Sequence, residues 1–177
     1  LGGSTLPQGA MVISDPKTGE IKGIVGGRGA KDINRGLNRA TQSKRQPGSS
    51  IKPIAVYAPA IDLGLITKST SVDDSPLKIG EWTPKNANDD FRGYVSVETA
   101  VTYSYNIPAV RILEEVGVDR SYDYLKNKLH MTSLIDSKDK DYATLALGGL
   151  TNGVSVLELT AAYSAISNDG IYIKPYT

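Results

Sequence analysis

The chain's regular pattern begins with two short β-rich apolar runs, "GAMVIS" (9–14) and "EIKGIVGG" (20–27). Short runs rich in β-branched and apolar residues and bounded by turn residues read as strands. Between them "DPKTG" is a turn signature, with Pro setting φ and Gly supplying a positive one. Residues 26–48 are Gly-rich and polar and read as a loop with at most a short extended piece. The pattern then becomes helical and strongly apolar in "SSIKPIAVYAPAIDLG" (49–64), closed by Gly64 near the C′ position. Residues 66–96 are dense in Ser, Asp, Asn, Pro and Gly and predict a long excursion with little regular structure.

Ser96 heads a short predicted helix through Tyr103. Pro108 suits the N1 position of another that ends at Gly117, and Asp119 is placed to cap a third carrying Tyr122, Leu125 and Leu129 on one side. "SKDKD" (137–141) reads as a solvated loop. "SVLE", Ser155 to Glu158, is a capping box ahead of "LTAAYSAIS", and "GIYIKPY" reads as a strand or extended tail. Two strands followed mainly by helices, without internal repeats, predict an α/β or α+β fold in which helices predominate.

Composition narrows the chemistry. A length of 177 residues is that of one ordinary domain, and 40% hydrophobic with 22% charged residues suits a globular protein with a sizeable core. Net charge is +1, which gives no reason to expect nucleic acid. Without cysteine there is no thiol nucleophile, disulfide or thiolate metal site, and one histidine removes zinc sites that need several imidazoles. A Ser-His-Asp triad would have to use His130, in "KNKLHMTSL", which reads as an ordinary helix end. No apolar run approaches a membrane span of about 18 residues. The opening "LGGSTLPQGA" has neither Met nor a signal-peptide pattern and looks like part of something longer.

Ser-x-x-Lys occurs four times, at Ser14 with Lys17, Ser49 with Lys52, Ser75 with Lys78, and Ser137 with Lys140, so spacing alone decides nothing. An activated serine needs a helix N-terminus, where free N–H groups face a developing oxyanion, and an amine one turn away on the same face. Ser14 runs into a turn, Ser75 precedes Pro76, and Ser137 lies in a charged loop. Only Ser49 opens an apolar helix, with Pro47 and Gly48 allowing a tight entry. Ser50 as a plain N-cap accounts for the same stretch. Ser-x-Asn occurs once, at Ser104, Tyr105 and Asn106, between two predicted helices. There a hydroxyl and an amide can project into a cleft, or can simply cap the next helix.

These residues resemble a known family. "LNRATQSKRQPGSSIKP" (37–53) is similar to the active-serine segment of the class A penicillin-binding proteins, the bifunctional cell-wall synthases. The likeness extends through "QGAMVISDPKTGEIKGIVGG" (8–27), "WTPKNANDDFRGYVSVETAVTYSYNIPAV" (82–110) and "LALGGLTNGVSVLELTAAYSAISNDGIYIKPY" (145–176). It implies the N-terminal part of a serine transpeptidase domain of the penicillin-binding protein and serine β-lactamase-like fold. Ser49 would attack the carbonyl between the two terminal D-alanines of a peptidoglycan stem peptide. Lys52 would take the serine proton, Ser104 would pass a proton to the departing D-alanine, and Asn106 would hold the substrate amide. Tyr105, Trp82 and Asn86 would line the cleft. The acyl-enzyme would be cross-linked to an amine of a neighbouring stem peptide, and β-lactams would acylate Ser49 in place of the donor. The resemblance implies no metal or cofactor. It places the domain outside the cytoplasmic membrane, held there in the full-length protein by an anchor not in this sequence.

In that family a catalytic Lys-Thr-Gly follows Ser-x-Asn on a strand edging the cleft. Here the only copy, Lys17, Thr18 and Gly19, precedes Ser49 and falls in the predicted hairpin turn, so it reads as a turn alone. A complementary C-terminal fragment of the same domain is the expected partner, supplying the third motif and the later strands. Two other readings stand beside a transpeptidase. One is a non-catalytic β-lactam-binding or sensor module. The other is a serine β-lactamase, which needs a carboxylate-activated water and commonly has Asp where Tyr105 stands.

Overall fold

Asp15 closes the first turn with its own side chain. Its carboxylate accepts the Lys17 N–H (2.8 Å), its N–H reaches the Glu20 carbonyl (2.8 Å), and Gly19 takes a φ of 80°. The flanking residues pair as an antiparallel hairpin, β1 (Met11–Ser14) with β2 (Ile21–Val25), in the register Met11 to Val25. The hairpin matches the sequence pattern, and the Lys-Thr-Gly triplet is its turn. The computed structural model describes residues 7–30 and 34–177. The first six residues, which include most of the Leu-Gly-Gly opening segment, and 31–33 of the Gly-rich loop lie outside the described residues.

The described chain forms two compact units. The first comprises Leu1–Arg45, Leu129–Ser133 and Val154–Thr177; the second comprises Gln46–Lys128 and Leu134–Gly153. In the first, β1 packs against the long C-terminal helix α6 (Val156–Ser167), where the Ser14 and Ser164 hydroxyls meet at 3.0 Å. The opposite face of the hairpin carries Met11, Ile13 and Val25, all exposed. The tail after α6 is extended, but it pairs with Glu20 only through a single bridge at Tyr176 rather than as a strand. The predicted capping box is complete: the Ser155 side chain accepts the Glu158 N–H, and Glu158 reaches back to the Ser155 N–H. Glu158 also receives the Thr132 hydroxyl (2.9 Å) and both the N–H (2.9 Å) and hydroxyl (2.6 Å) of Ser133.

The second unit is built on two buried helical stretches. The first runs from a 3-10 turn (Gly48–Ile51) through a π-helical turn (Pro53–Tyr57) into α1 (Ala58–Asp62), with Ile51, Ile54, Ala55, Val56 and Ala60 fully buried. It ends at Leu63 with Gly64 at positive φ, as its sequence predicts. The second is α3 (Asn106–Val116), which packs against that stretch and buries Ile107, Val110, Ile112, Leu113 and Val116. Each such side chain contributes on the order of 1.5–3 kcal/mol of burial. α2 (Val97–Thr102) is capped by Ser96, whose hydroxyl accepts the Thr99 N–H at 3.1 Å.

Four details differ from the sequence expectations. Pro108 is the third residue of α3 rather than the first. Asp119 does not cap α4 (Val118–Asp123), whose N-cap is Gly117; it pairs with Lys140 at 3.1 Å instead. The excursion holds a second hairpin, β3 (Ser71–Asp74) with β4 (Gly93–Ser96), which the Asp-rich sequence concealed because Asp is poor in strands. A short helix α5 (Tyr142–Leu147), capped by Asp141 and closed by left-handed Gly148, follows the charged loop.

Burial alone would raise the Glu158 carboxyl, but the donors from Ser133, Ser155 and Thr132 outweigh it and hold it below its usual range. We expect Glu158→Gln to cost about 1–3 kcal/mol at neutral pH, since buried Ser133 and Ser155 lose acceptors. A folded carboxyl held low stabilises fully above the unfolded value of about 4.3, and that contribution fades as pH falls through the folded one. Denaturant titrations at neutral and acid pH should therefore show the deficit of the variant shrinking with acid.

Candidate active site

Two glycines shape the turn that presents Ser49. Gly48 has a φ of 55° and donates its N–H to the Gly148 carbonyl at 3.3 Å. Gly148 is itself left-handed, and a Cβ there would lie 2.1 Å from the Gly48 carbonyl oxygen. Only glycine permits both the positive φ and so close a backbone approach. Ser49 is exposed, and among the described residues its N–H has no backbone acceptor. The Ser50 hydroxyl turns back to the Pro47 carbonyl at 2.7 Å, so it does not cap the helix.

Pro53 determines the next step. It has no N–H with which to make the α-helical bond to the Ser49 carbonyl, and that carbonyl accepts from the Lys52 N–H instead. The turn is therefore 3-10, in which residues i and i+3 eclipse, so Ser49 and Lys52 share one face.

Lys52 is 2% exposed. Its amine meets four oxygens, all from one connection: the Ser104 carbonyl (2.7 Å) and hydroxyl (3.2 Å), the Tyr105 carbonyl (3.3 Å) and Asn106 Oδ1 (2.6 Å). None is a carboxylate. Removed from water without an opposite charge among its partners, the amine is pushed down by burial to about 8. Ser104 stands at a φ of 56°, uncommon for serine, which aims both its oxygens at one amine.

Neither Ser104 nor Asn106 caps α3, the plainer role the sequence left open. The N-cap is Tyr105, with no side-chain cap bond, and Asn106 Nδ2 donates to the Lys85 carbonyl at 2.8 Å. Tyr105 stacks on Tyr103 with ring centroids 5.7 Å apart, and the Arg92 guanidinium lies 4.5 Å from its ring. Trp82 is half-buried in a tight turn, paired through its backbone with Ile79. Asn86, expected to line the cleft, is 6% exposed instead. Its amide is saturated within the protein, donating to Asp74 Oδ1 (2.7 Å) and the Asp90 carbonyl (2.9 Å) and accepting the N–H groups of Asn106 (2.8 Å) and Ile107 (3.3 Å). The structure therefore brings Lys52, Ser104, Tyr105 and Asn106 together, with Ser49 one turn from the lysine, and puts Asn86 behind them. Gly148 and Asp74 went unnoticed in the sequence. A glycine ending a short helix was the available signal for the first; nothing local marked the second.

The chain belongs to the penicillin-binding protein transpeptidase family, since the model of that family's transpeptidase domain matches residues 9–177. That family is one of serine acyltransferase-type enzymes. Penicillin-binding protein 4 of Bacillus subtilis is 39% identical over 166 residues, 93% of this chain and 26% of that protein. Penicillin-binding protein 1A of Clostridium acetobutylicum is 39% identical over 181 residues, 96% of this chain and 22% of that one. This chain thus spans about a quarter of the length of these relatives. The crystal structure of penicillin-binding protein 1A from Haemophilus influenzae superposes with a TM-score of 0.81 at 31% identity, over 96% of this chain and 24% of that one. PonA1 of Mycobacterium tuberculosis in complex with penicillin V gives 0.78 at 24% identity, over 95% of this chain and 46% of that one, a likeness of fold.

Gly148→Ala should be among the most damaging single-methyl changes in the chain. Backbone has to move away from the added Cβ and a positive φ becomes strained, so a loss of at least about 2–3 kcal/mol is expected in thermal or denaturant unfolding. Unchanged stability would show that the two glycine turns are not in register.

Proposed function

We propose that the chain carries the acylating half of a peptidoglycan D,D-transpeptidase site. The observation that carries this reading is the buried Lys52 amine, one turn from exposed Ser49 and bonded to the Ser104–Asn106 connection without a counter-charge. A serine hydroxyl is a weak nucleophile at neutral pH and needs a base beside it. An amine titrating near 8 is neutral in a useful fraction of molecules, and then has a lone pair for the Ser49 proton.

Ser49 Oγ attacks the carbonyl between the terminal D-alanines while its proton passes to Lys52. The tetrahedral oxyanion is met by the free Ser49 N–H. As the C–N bond breaks, the proton reaches the departing D-alanine amine through the Ser104 hydroxyl, 3.2 Å from the lysine. An ester on Ser49 remains. The amine of a neighbouring stem peptide then attacks that ester, its proton returns to Ser49 by the same groups, and the cross-link forms. A β-lactam follows the first half: its ring amide opens onto Ser49, the ring nitrogen takes the proton, and the ester persists. Asn106 and Tyr105, and Trp82 at the rim, contact the peptide in this reading.

The chain is taken as one stretch of a single transpeptidase domain, acting on the outer face of the cytoplasmic membrane. A second oxyanion donor and the family's catalytic Lys-Thr-Gly come from the remainder of that domain. Two observations support this division: Lys17, Thr18 and Gly19 are occupied as a turn, and the Met11, Ile13 and Val25 face of the first hairpin is exposed. Among the described residues no helix is long and apolar enough to cross a membrane.

In the full-length protein, benzylpenicillin should add one penicilloyl group that maps to Ser49 by mass spectrometry and is absent in Ser49→Ala. Lys52→Arg, whose guanidinium keeps its proton, should slow acylation by about 10²–10⁴-fold. The acylation rate should climb from mildly acid pH and level off above about 8, as the neutral amine accumulates. A wild-type protein that forms no adduct is a non-catalytic relative, and the reading fails.

A further inference from the structure

The N-terminal N–H groups of α3 are satisfied from far away in sequence. Helices ordinarily cap themselves, and an asparagine at the entry is a common capping group. Here Asn86, in the loop between β3 and β4, takes the N–H of Asn106 at 2.8 Å and of Ile107 at 3.3 Å. That releases the Asn106 side chain from capping, so its Oδ1 meets the Lys52 amine at 2.6 Å. The neighbouring Lys85 carbonyl holds the other end of the same amide at 2.8 Å. Residues 85 and 86 thus brace Asn106 at backbone and side chain together.

Which way the Asn86 amide points is set by Asp74. This carboxylate is fully buried at the end of β3. Its Oδ1 accepts Asn86 Nδ2 at 2.7 Å, its Oδ2 accepts the Arg92 N–H at 3.2 Å, and the Arg92 guanidinium stands 4.0 Å off. A flipped Asn86 would put its oxygen against that carboxylate and its NH2 against two N–H donors, losing all four of its bonds. Burying a carboxylate is costly unless it is well bonded, and here the bond it makes orients the group that shapes the lysine site.

We propose that Asp74 and Asn86 are positioning residues for the acylation step, holding the 104–106 connection so that Lys52 keeps its place beside Ser49. They touch no substrate; they act through Asn106. This rests on the transpeptidase reading above and adds to it a control element in the excursion between α1 and α2.

The test is an exchange of partners in the full-length protein, with benzylpenicillin as the probe. The acylation rate constant and the non-covalent Kd are measured separately, well below each variant's melting temperature. Asn86→Asp alone sets two carboxylates against each other, and Asp74→Asn alone turns an NH2 toward the Arg92 N–H. Each should lower the acylation constant on the order of 100-fold with Kd little changed. The double variant Asp74→Asn with Asn86→Asp restores the bond between the two side chains and keeps acceptors for the Arg92, Asn106 and Ile107 N–H groups, losing only the donor to the Asp90 carbonyl, and should recover at least about tenfold over the single variants. Single variants that acylate at the wild-type rate, or a double variant that melts like wild type yet stays as slow as the singles, overturn the proposal. Should a single variant fail to fold, the double variant decides by the same criterion. A wild type that forms no adduct overturns the transpeptidase reading and this one together, whereas a wild type that acylates beside unaffected singles overturns this one alone.

Discussion

The second unit is organised around one buried amine. Lys52 gives up water for four oxygen atoms, and all four come from three consecutive residues, 104–106. A cation of this kind is tolerated in a protein interior only when its hydrogen bonds are made, so the helix bearing Lys52 and the entry of α3 have to meet there. The two helical stretches that meet there carry the fully buried Ile51, Ile54, Ile107 and Val110. The same burial that holds the fold at this point also brings the amine down toward neutrality, where it can exchange a proton.

Around this contact the backbone is specialised rather than regular. Pro53 forbids one α-helical bond and a 3-10 turn results; a π-helical turn follows; Gly48 and Gly148 interlock; Ser104 adopts a positive φ. Each departs from the local optimum, and the Pro53 turn and the Ser104 backbone bring Lys52 and the Ser104 oxygens together. Departures of this kind cluster where the surrounding packing is strong enough to impose them. Here that packing is the helical stretch from Gly48 to Asp62, in which Ile51, Ile54, Ala55, Val56 and Ala60 are fully buried, and the buried face of α3.

Much of the fold was legible in the sequence because its signals are short-ranged. The Asp15–Gly19 turn, the Ser96 cap, the Ser155–Glu158 capping box and the Gly64 helix end each lie within a few residues of the group they satisfy. The expectations that failed involve competition between distant partners. Asp119 has the composition of a cap but is drawn to Lys140. The Asp73 and Asp74 pair looks like loop, yet Asp74 ends a strand because Asn86 and Arg92 are there to receive its charge. The family resemblance implies a cleft position for Asn86, but a buried carboxylate, the Asp90 carbonyl and a helix N-terminus claim all its bonds.

By itself the sequence determined the family, the candidate nucleophile and lysine, and the dismissal of Lys-Thr-Gly as a turn. The family follows from a resemblance that runs along nearly the whole chain. The rest follow from motif context and the strand-like and helical patterns of nearby residues, all properties of neighbours along the chain. Only the tertiary structure decided that Ser104 and Asn106 serve Lys52 rather than cap α3, that Gly148 seats the Ser49 turn, and that Asn86 supplies the cap from outside. The physical reason is the same in each case. A polar group near a helix end has several partners of similar local merit, and which one it takes depends on what the folded chain has removed from water beside it.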